Sequence, residues 1–139
     1  MAMPDPSIQN AAVTPARGNA ARVVVAGSSG LVGTALCTLL RAHGHHVDRL
    51  VRRPARPEGG EIRWDPARGS MDAASLEGVD FVVNLAGEPI ASGRWTQARK
   101  QAILESRTQG TRLLCETLAR LDRRPQALVS ASAVGYYGD

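Results

Sequence analysis

The stretch Gly27-Ser28-Ser29-Gly30-Leu31-Val32-Gly33 carries the clearest chemistry in the sequence. It lies between a β-branched run, Val23-Val24-Val25-Ala26, and an apolar-periodic segment. Glycines at this spacing, at a strand-to-helix junction, suit the binding of a pyrophosphate. Gly27 permits the tight turn off the strand, Gly30 lets a phosphate approach the backbone, and Gly33 lets the helix pack closely on the sheet. The unpaired N–H groups of the helix N-terminus would then face the anion. Leu31 and Val32 are expected to cover the site and to begin the core face of the helix. The alternative is a βα turn with a structural role alone.

A second signal bears on which dinucleotide would sit there. Recognition of a free ribose 2′-hydroxyl calls for an acidic residue about 20 residues beyond the turn. Arg52 and Arg53 stand there instead, Arg52 19 residues after Gly33. A guanidinium pairs with a 2′-phosphate, so the sequence favours NADP over NAD. The alternative is a solvated arginine pair at a strand end.

These residues need elements to hold them. Order is expected from Arg22, after a Pro-containing tail over 1–21 with no apolar period. Val23–Ala26 reads as a strand buried on both faces. Leu31, Val32, Ala35, Leu36, Leu39 and Leu40 recur at helical spacing, and Gly44 ends that helix. His46–Val51 reads as the second strand and Glu61–Trp64 as a short third. Asp72–Leu76 reads as one helical turn capped by Asp72. Val79–Leu85 is the fourth strand, a long helix capped by Thr96 runs to about Leu121, and Ala127–Ala131 is the fifth strand. Strands alternating with helical crossovers predict a parallel sheet with right-handed connections.

Composition narrows the class. The 139 residues suffice for one domain. At 43% hydrophobic and 22% charged, the chain fits a globular domain and not a disordered one. No apolar run approaches the roughly 20 residues of a membrane span, and the first residues lack a signal-peptide pattern. Two cysteines, Cys37 and Cys115, form neither a disulfide framework nor a zinc motif, which suits the cytoplasm. They read as small core residues, and Trp64 and Trp95 as packing residues. The net charge of +4 admits a polyanion, but the arginines are spread along the chain without a reader motif, against nucleic acid. His43, His45 and His46 flank a helix-ending glycine with no carboxylate or cysteine at ligand spacing, so no metal site is expected.

With those residues in place, the chain resembles the extended short-chain dehydrogenases/reductases. The resemblance rests on Gly27-to-Gly33, on Asn84-Leu85-Ala86-Gly87 after the fourth strand, and on Ser130-Ala131-Ser132 after the fifth. Ile62-Arg63-Trp64-Asp65-Pro66, Gly87-Glu88-Pro89-Ile90, Arg94-Trp95, Glu105-Ser106-Arg107 and Ala133-Val134-Gly135-Tyr136-Tyr137-Gly138-Asp139 make it similar to the epimerase-family subgroup, nucleoside-diphosphate-sugar epimerase-like, from Arg22 onward. The resemblance implies an α/β Rossmann-type, doubly wound parallel sheet of order 3-2-1-4-5, here reaching only the fifth strand. It implies NADP(H) across the top of that sheet. Leu85, Ala86 and Gly87 would touch the adenosine ribose through backbone, Asp65 would approach the adenine, and Ser132 matches the active-site serine. Arg107 stands where many extended members have Asn, on the helix face of Gly110, within reach of the cofactor.

The superfamily reaction needs a tyrosine acid/base with a lysine four residues on. The only tyrosines are Tyr136 and Tyr137 and the only lysine is Lys100, so this chain holds no Tyr-x-x-x-Lys. The subgroup often lacks the usual catalytic residues. The expectation is an incomplete NAD(P)-binding Rossmann domain over 22–139 that binds NADP(H) without turnover as this chain. A dinucleotide-sensing module and a basic nucleic-acid-binding domain are the alternatives. An edge strand at the fifth position would favour a homo-oligomer.

Overall fold

A computed structural model describes residues 19–87 and 93–131. Ser132, the two tyrosines and Glu88–Ile90 therefore lie outside the described residues. Six strands and two α-helices form the frame: β1 (Arg22–Ala26), α1 (Leu31–Ala42), β2 (His46–Val51), β3 (Glu61–Asp65), β4 (Ser70–Met71), β5 (Phe81–Asn84), α2 (Gln97–Ala119) and β6 (Ala127–Ser130). The sheet order is β4-β3-β2-β1-β5-β6. All pairings are parallel except β3 with β4. The five parallel strands, β3-β2-β1-β5-β6, follow the 3-2-1-4-5 order that the resemblance implies. Unexpected is β4, a two-residue antiparallel strand folded back by the Asp65–Gly69 turn, with Gly69 at φ +65°. Two residues are too few to show any alternation, so its pairing with Trp64 and Asp65 is a tertiary event.

The β-branched run of β1 sits at the sheet centre because both of its faces are covered. Val24, Val25 and Ala26 are fully buried, and each valine side chain contributes roughly 1.5–3 kcal/mol by leaving water. On one face α2 packs over Val24, Ala26, Leu50, Ile62 and Val82. Its buried residues Gly110, Leu114, Thr117 and Leu118 follow helical spacing. The Thr96 hydroxyl accepts the Arg99 N–H at 3.2 Å, which starts the helix as the sequence predicts. Cys115 falls between those buried positions and is exposed, not a core residue. Trp95 is likewise 59% exposed. Asp72 accepts the Ser75 N–H and hydroxyl at 3.3 and 2.6 Å, holding the 3₁₀ turn Ala74–Leu76.

On the other face α1 covers Val23, Val25 and Val47. Only Gly33 and Cys37 of this helix are buried, with Leu36 and Leu40 partly so. That is the i, i+3, i+4, i+7 row that starts from Gly33. Leu31 is 92% exposed and Val32 64%, so neither begins the core face. The reason is steric. A Cβ on Gly33 would collide with the Gly27 carbonyl oxygen and lie 2.8 Å from Ser28 Cα. The helix is rotated to bring its glycine onto the turn, and Leu31 and Val32 turn to solvent with it.

Two of the three histidine side chains serve local bonds. His45 Nδ1 accepts the Ala21 N–H at 3.1 Å, and His43 Nδ1 lies 2.8 Å from the Leu39 carbonyl. Among the described residues no helix is long and apolar enough to cross a membrane.

Candidate functional site

The chain leaves β1 at its carboxyl end and turns sharply at Gly27. Its φ is +75°, and a Cβ there would sit 2.5 to 2.7 Å from the backbone of Leu85 and Ala86. Only glycine serves at such a crossing. The turn after β1 therefore lies directly on the segment after β5, where the sheet order reverses. Open α/β sheets bind their ligands at such a point.

The turn then runs through Ser28 and Ser29 to Gly30. Gly30 N–H reaches the Gly27 carbonyl at 3.2 Å, and its own carbonyl accepts from Thr34 N–H at 2.9 Å. The Thr34 hydroxyl donates to the Ser28 carbonyl at 3.2 Å. No side chain caps α1. The N–H groups of Leu31, Val32 and Gly33 have no partner among the described residues, as at any uncapped helix start. Gly30 differs from its neighbours. Its backbone is extended, φ −73° and ψ 173°, and a Cβ would meet nothing closer than an ordinary 3.5 Å contact. Protein packing explains the glycines at 27 and 33 and does not explain the one at 30. A ligand resting on that backbone would.

The segment after β5 is held by a buried asparagine. Asn84 is 5% exposed. Its Oδ1 accepts the Ala86 N–H at 3.2 Å, and its Nδ2 donates to Thr111 Oγ1 at 3.3 Å and Ser130 Oγ at 3.4 Å. The Leu85 N–H donates to the Ala26 carbonyl at 2.9 Å. Asn84 thus ties Leu85, Ala86 and Gly87 to α2 and β6. Spacing and residue type assign no separate role to Asn84, although a polar residue ending a buried strand is the kind that must find partners.

A cleft of about 230 Å³ opens beside this segment, lined by Arg52, Trp64, Asp65, Ala86 and Gly87 and by Glu105 and Ser106 of α2. Trp64 is 3% exposed, and its ring packs against Gly110, where a Cβ would come to 3.4 Å. Asp65 accepts the Arg68 N–H at 3.3 Å and faces its guanidinium at 3.7 Å. Arg107 lies over Gly87, its Cζ 3.2 Å from where a Cβ would be. Its Nε is buried with no hydrogen-bond partner among the described residues, a donor that a bound acceptor would satisfy.

The two adjacent arginines part company. Arg52 lines the cleft and makes no hydrogen bond or ion pair among the described residues. Arg53 instead pairs with Glu61, Nη2 to Oε1 at 2.5 Å and Nη1 to Oε2 at 2.8 Å. The hydrogen bond from Arg53 holds the Glu61 carboxyl at about 2, well below its ordinary 4.5, helped by the Arg56 N–H and by the charges of Arg53 and Arg49, against the cost of burial. The same bond raises Arg53. The structure brings Gly27–Gly33, Leu85–Gly87, Arg52, Asp65 and Arg107 to one end of the sheet; Arg53 goes to Glu61, and Ser132 is outside the described residues.

The chain is similar to known proteins over most of its length. Residues 23–139 match the family model described as NAD dependent epimerase/dehydratase family. An epimerase family protein of Mycobacterium bovis is 48% identical over 118 residues, 84% of this chain and 38% of the relative. The crystal structure of the human epimerase family protein SDR39U1 (isoform 2) with NADPH superposes with a TM-score of 0.70 at 39% identity, covering 84% of this chain and 38% of that one. MoeE5 in complex with UDP-glucose and NAD gives 0.65 at 32% identity over 84% of this chain and 38% of that one. The chain thus spans about 38% of the length of the curated relatives it matches. On the family match and on the glycine turn seated at the sheet's reversal point, the chain belongs to the NAD dependent epimerase/dehydratase family.

Proposed function

We propose that residues 22–139 form the NADP(H)-binding domain of an epimerase/dehydratase- or reductase-like protein. The observation that carries this reading is the Gly27–Gly33 turn on the Leu85–Ala86 backbone, with unpaired N–H groups at the start of α1 and an open Gly30. The residues present fit the cofactor. The pyrophosphate would rest on the Gly30–Gly33 backbone with Ser28 and Ser29 beside it, where the helix dipole favours an anion. Leu31 and Val32, both exposed, would lie over it. The cleft beside Trp64 and Asp65 would take the adenine, Leu85 to Gly87 the ribose, and Arg107, with its buried unpaired Nε, a cofactor oxygen. Arg52, unpaired at the cleft, would meet a 2′-phosphate. The NADPH-bound human relative supports this choice, and the NAD-bound MoeE5 marks the alternative.

A bound nicotinamide cofactor supplies hydride transfer. The chain contributes no Tyr-x-x-x-Lys, so the reading is binding without turnover by this chain, and Ser132 would hold a substrate oxygen only beside further residues. The two free cysteines suit a reducing compartment. Self-association through β6, an outer strand with Val129 59% exposed, belongs to the same proposal.

Titration with NADPH and NADH tests it, read through tryptophan emission because Trp64 lines the cleft. The expected result is binding of both, NADPH tighter. Arg52→Asp should weaken NADPH by about 10- to 100-fold, the worth of a charged hydrogen bond, and leave NADH nearly unchanged. Gly30→Asp should abolish binding of both. Equal weakening of the two dinucleotides by Arg52→Asp would remove the 2′-phosphate role. No effect of Gly30→Asp would remove the site.

A further inference from the structure

Glu61 accepts four hydrogen bonds. Two come from the Arg53 guanidinium, at 2.5 and 2.8 Å, one from Arg49 Nη2 at 2.9 Å and one from the Arg56 N–H at 2.9 Å. Its side chain is only 3% exposed, so this is a saturated carboxylate under cover and not a loose surface pair. The donors come from β2 (Arg49) and from both ends of the bend that follows it (Arg53 and Arg56). Val51 is held on the near side of Arg52 by its register with Arg63. Arg52 therefore lies between a strand residue held by register and an arginine held through its side chain, while its own side chain has no partner among the described residues. Along an extended strand successive side chains take opposite faces. Arg49 and Glu61 stand opposite each other in register on the α1 face; past the end of β2 at Val51, Arg53 reaches the same carboxylate, and Arg52 lines the cleft with Trp64.

We infer that Glu61 is a positioning residue for cofactor choice. By committing Arg49 and Arg53 to one face of the sheet, it leaves Arg52 as the guanidinium presented to the cleft at the end of β2, where it selects a ligand carrying a phosphomonoester on its ribose. This rests on the dinucleotide reading and adds to it the residue that sets the preference. With a neutral side chain at 61, Arg49 and Arg53 become uncompensated neighbouring cations. The Arg53–Gly60 bend loosens, and Arg52 loses the anchor beside it. Contacts to the rest of the dinucleotide, at the glycine turn and the Leu85–Gly87 segment, are untouched.

The experiment titrates the wild-type chain, Glu61→Gln and Arg53→Met with NADPH and with NADH by tryptophan emission, with circular dichroism and thermal melting as the check on folding. The wild type should prefer NADPH. Glu61→Gln should weaken NADPH about 10-fold, one charge-assisted bond's worth, while NADH changes less than about twofold. Arg53→Met should move the ratio the same way by less, since Arg49 and the Arg56 N–H still hold Glu61. A residue with a structural role alone would weaken both dinucleotides together and leave their ratio unchanged, whatever its effect on the melting temperature. An unchanged NADPH-to-NADH ratio in both variants overturns the inference, and if Glu61→Gln does not fold, an unchanged ratio in Arg53→Met does so by itself. A wild type that binds both dinucleotides equally overturns the inference and leaves dinucleotide binding standing. A wild type that binds neither overturns both.

Discussion

The two faces of the sheet are built differently. Under α2 the face is apolar across its width, from Leu50, Ile62 and Trp64 through Val24 and Ala26 to Val82, closed by Leu114 and Leu118 of the helix. Under α1 the buried cluster is Val23, Val25, Cys37 and Val47. Beyond β2 that face turns ionic, with Arg49, Arg53 and Glu61, and α1 is seated through backbone, Gly33 on the Gly27 carbonyl. The apolar face supplies most of the cohesion and forms the wall of the cleft. The thinner face carries the turn and the ion-pair clip. Close backbone approach leaves the start of α1 open, which a wide side-chain interface there would have blocked.

Mutations should separate the faces by size of effect. Leu114→Ala, which empties a fully buried site under α2, should cost about 2–5 kcal/mol in denaturant unfolding. Leu39→Ser on the outer side of α1, where Leu39 is 55% exposed, should stay within about 0.5 kcal/mol. A loss at Leu39 as large as that at Leu114 would show that the outer side of α1 is packed as well. Gly33→Ala should fall between them in stability, at about 1–3 kcal/mol for a forced overlap, and should lose dinucleotide binding because α1 must move off the turn. Retained affinity there would show that the Gly33 contact is incidental.

Acid should weaken the ionic part of the α1 face. The folded-state carboxyl of Glu61 is lowered from 4.5 to about 2. Its contribution to stability is therefore complete above about pH 4.5 and is lost as pH falls toward 2. Glu61→Gln should flatten the pH dependence of the unfolding midpoint over that interval. A residual slope should remain from Glu77, also lowered, chiefly by the Arg123 and Asp122 N–H groups. If wild type and Glu61→Gln lose stability in parallel through that range, the clip contributes nothing to folding.

Much of this architecture was legible in the residues. The β-branched run of β1, the helix stop at Gly44, the Thr96 cap and the glycine turn are local signals, each governed by a few neighbouring residues. They predict the elements and a parallel sheet, because strands joined by helical crossovers have few ways to assemble; the strand order comes from the family resemblance. What failed was rotation and pairing. Leu31 and Val32 look like core on spacing alone, yet the collision at Gly33 turns them outward. Cys115 and Trp95 look like packing residues and face solvent. β4 is too short to announce itself.

The site divides along the same line. Sequence alone determined that a glycine-rich turn joins a buried strand to a helix, and that arginines end the second strand, because these depend on residue type and spacing. Only the tertiary structure decided that the turn rests on Leu85 and Ala86, that Gly30 is the glycine packing leaves unexplained, and that Arg52 and Arg53 serve different faces. Those outcomes depend on which distant residue lies opposite. Glu61, ten residues beyond Val51, captures one arginine and leaves the other to the cleft because the register of β2 with β3 brings its carboxylate beside the bend that follows β2.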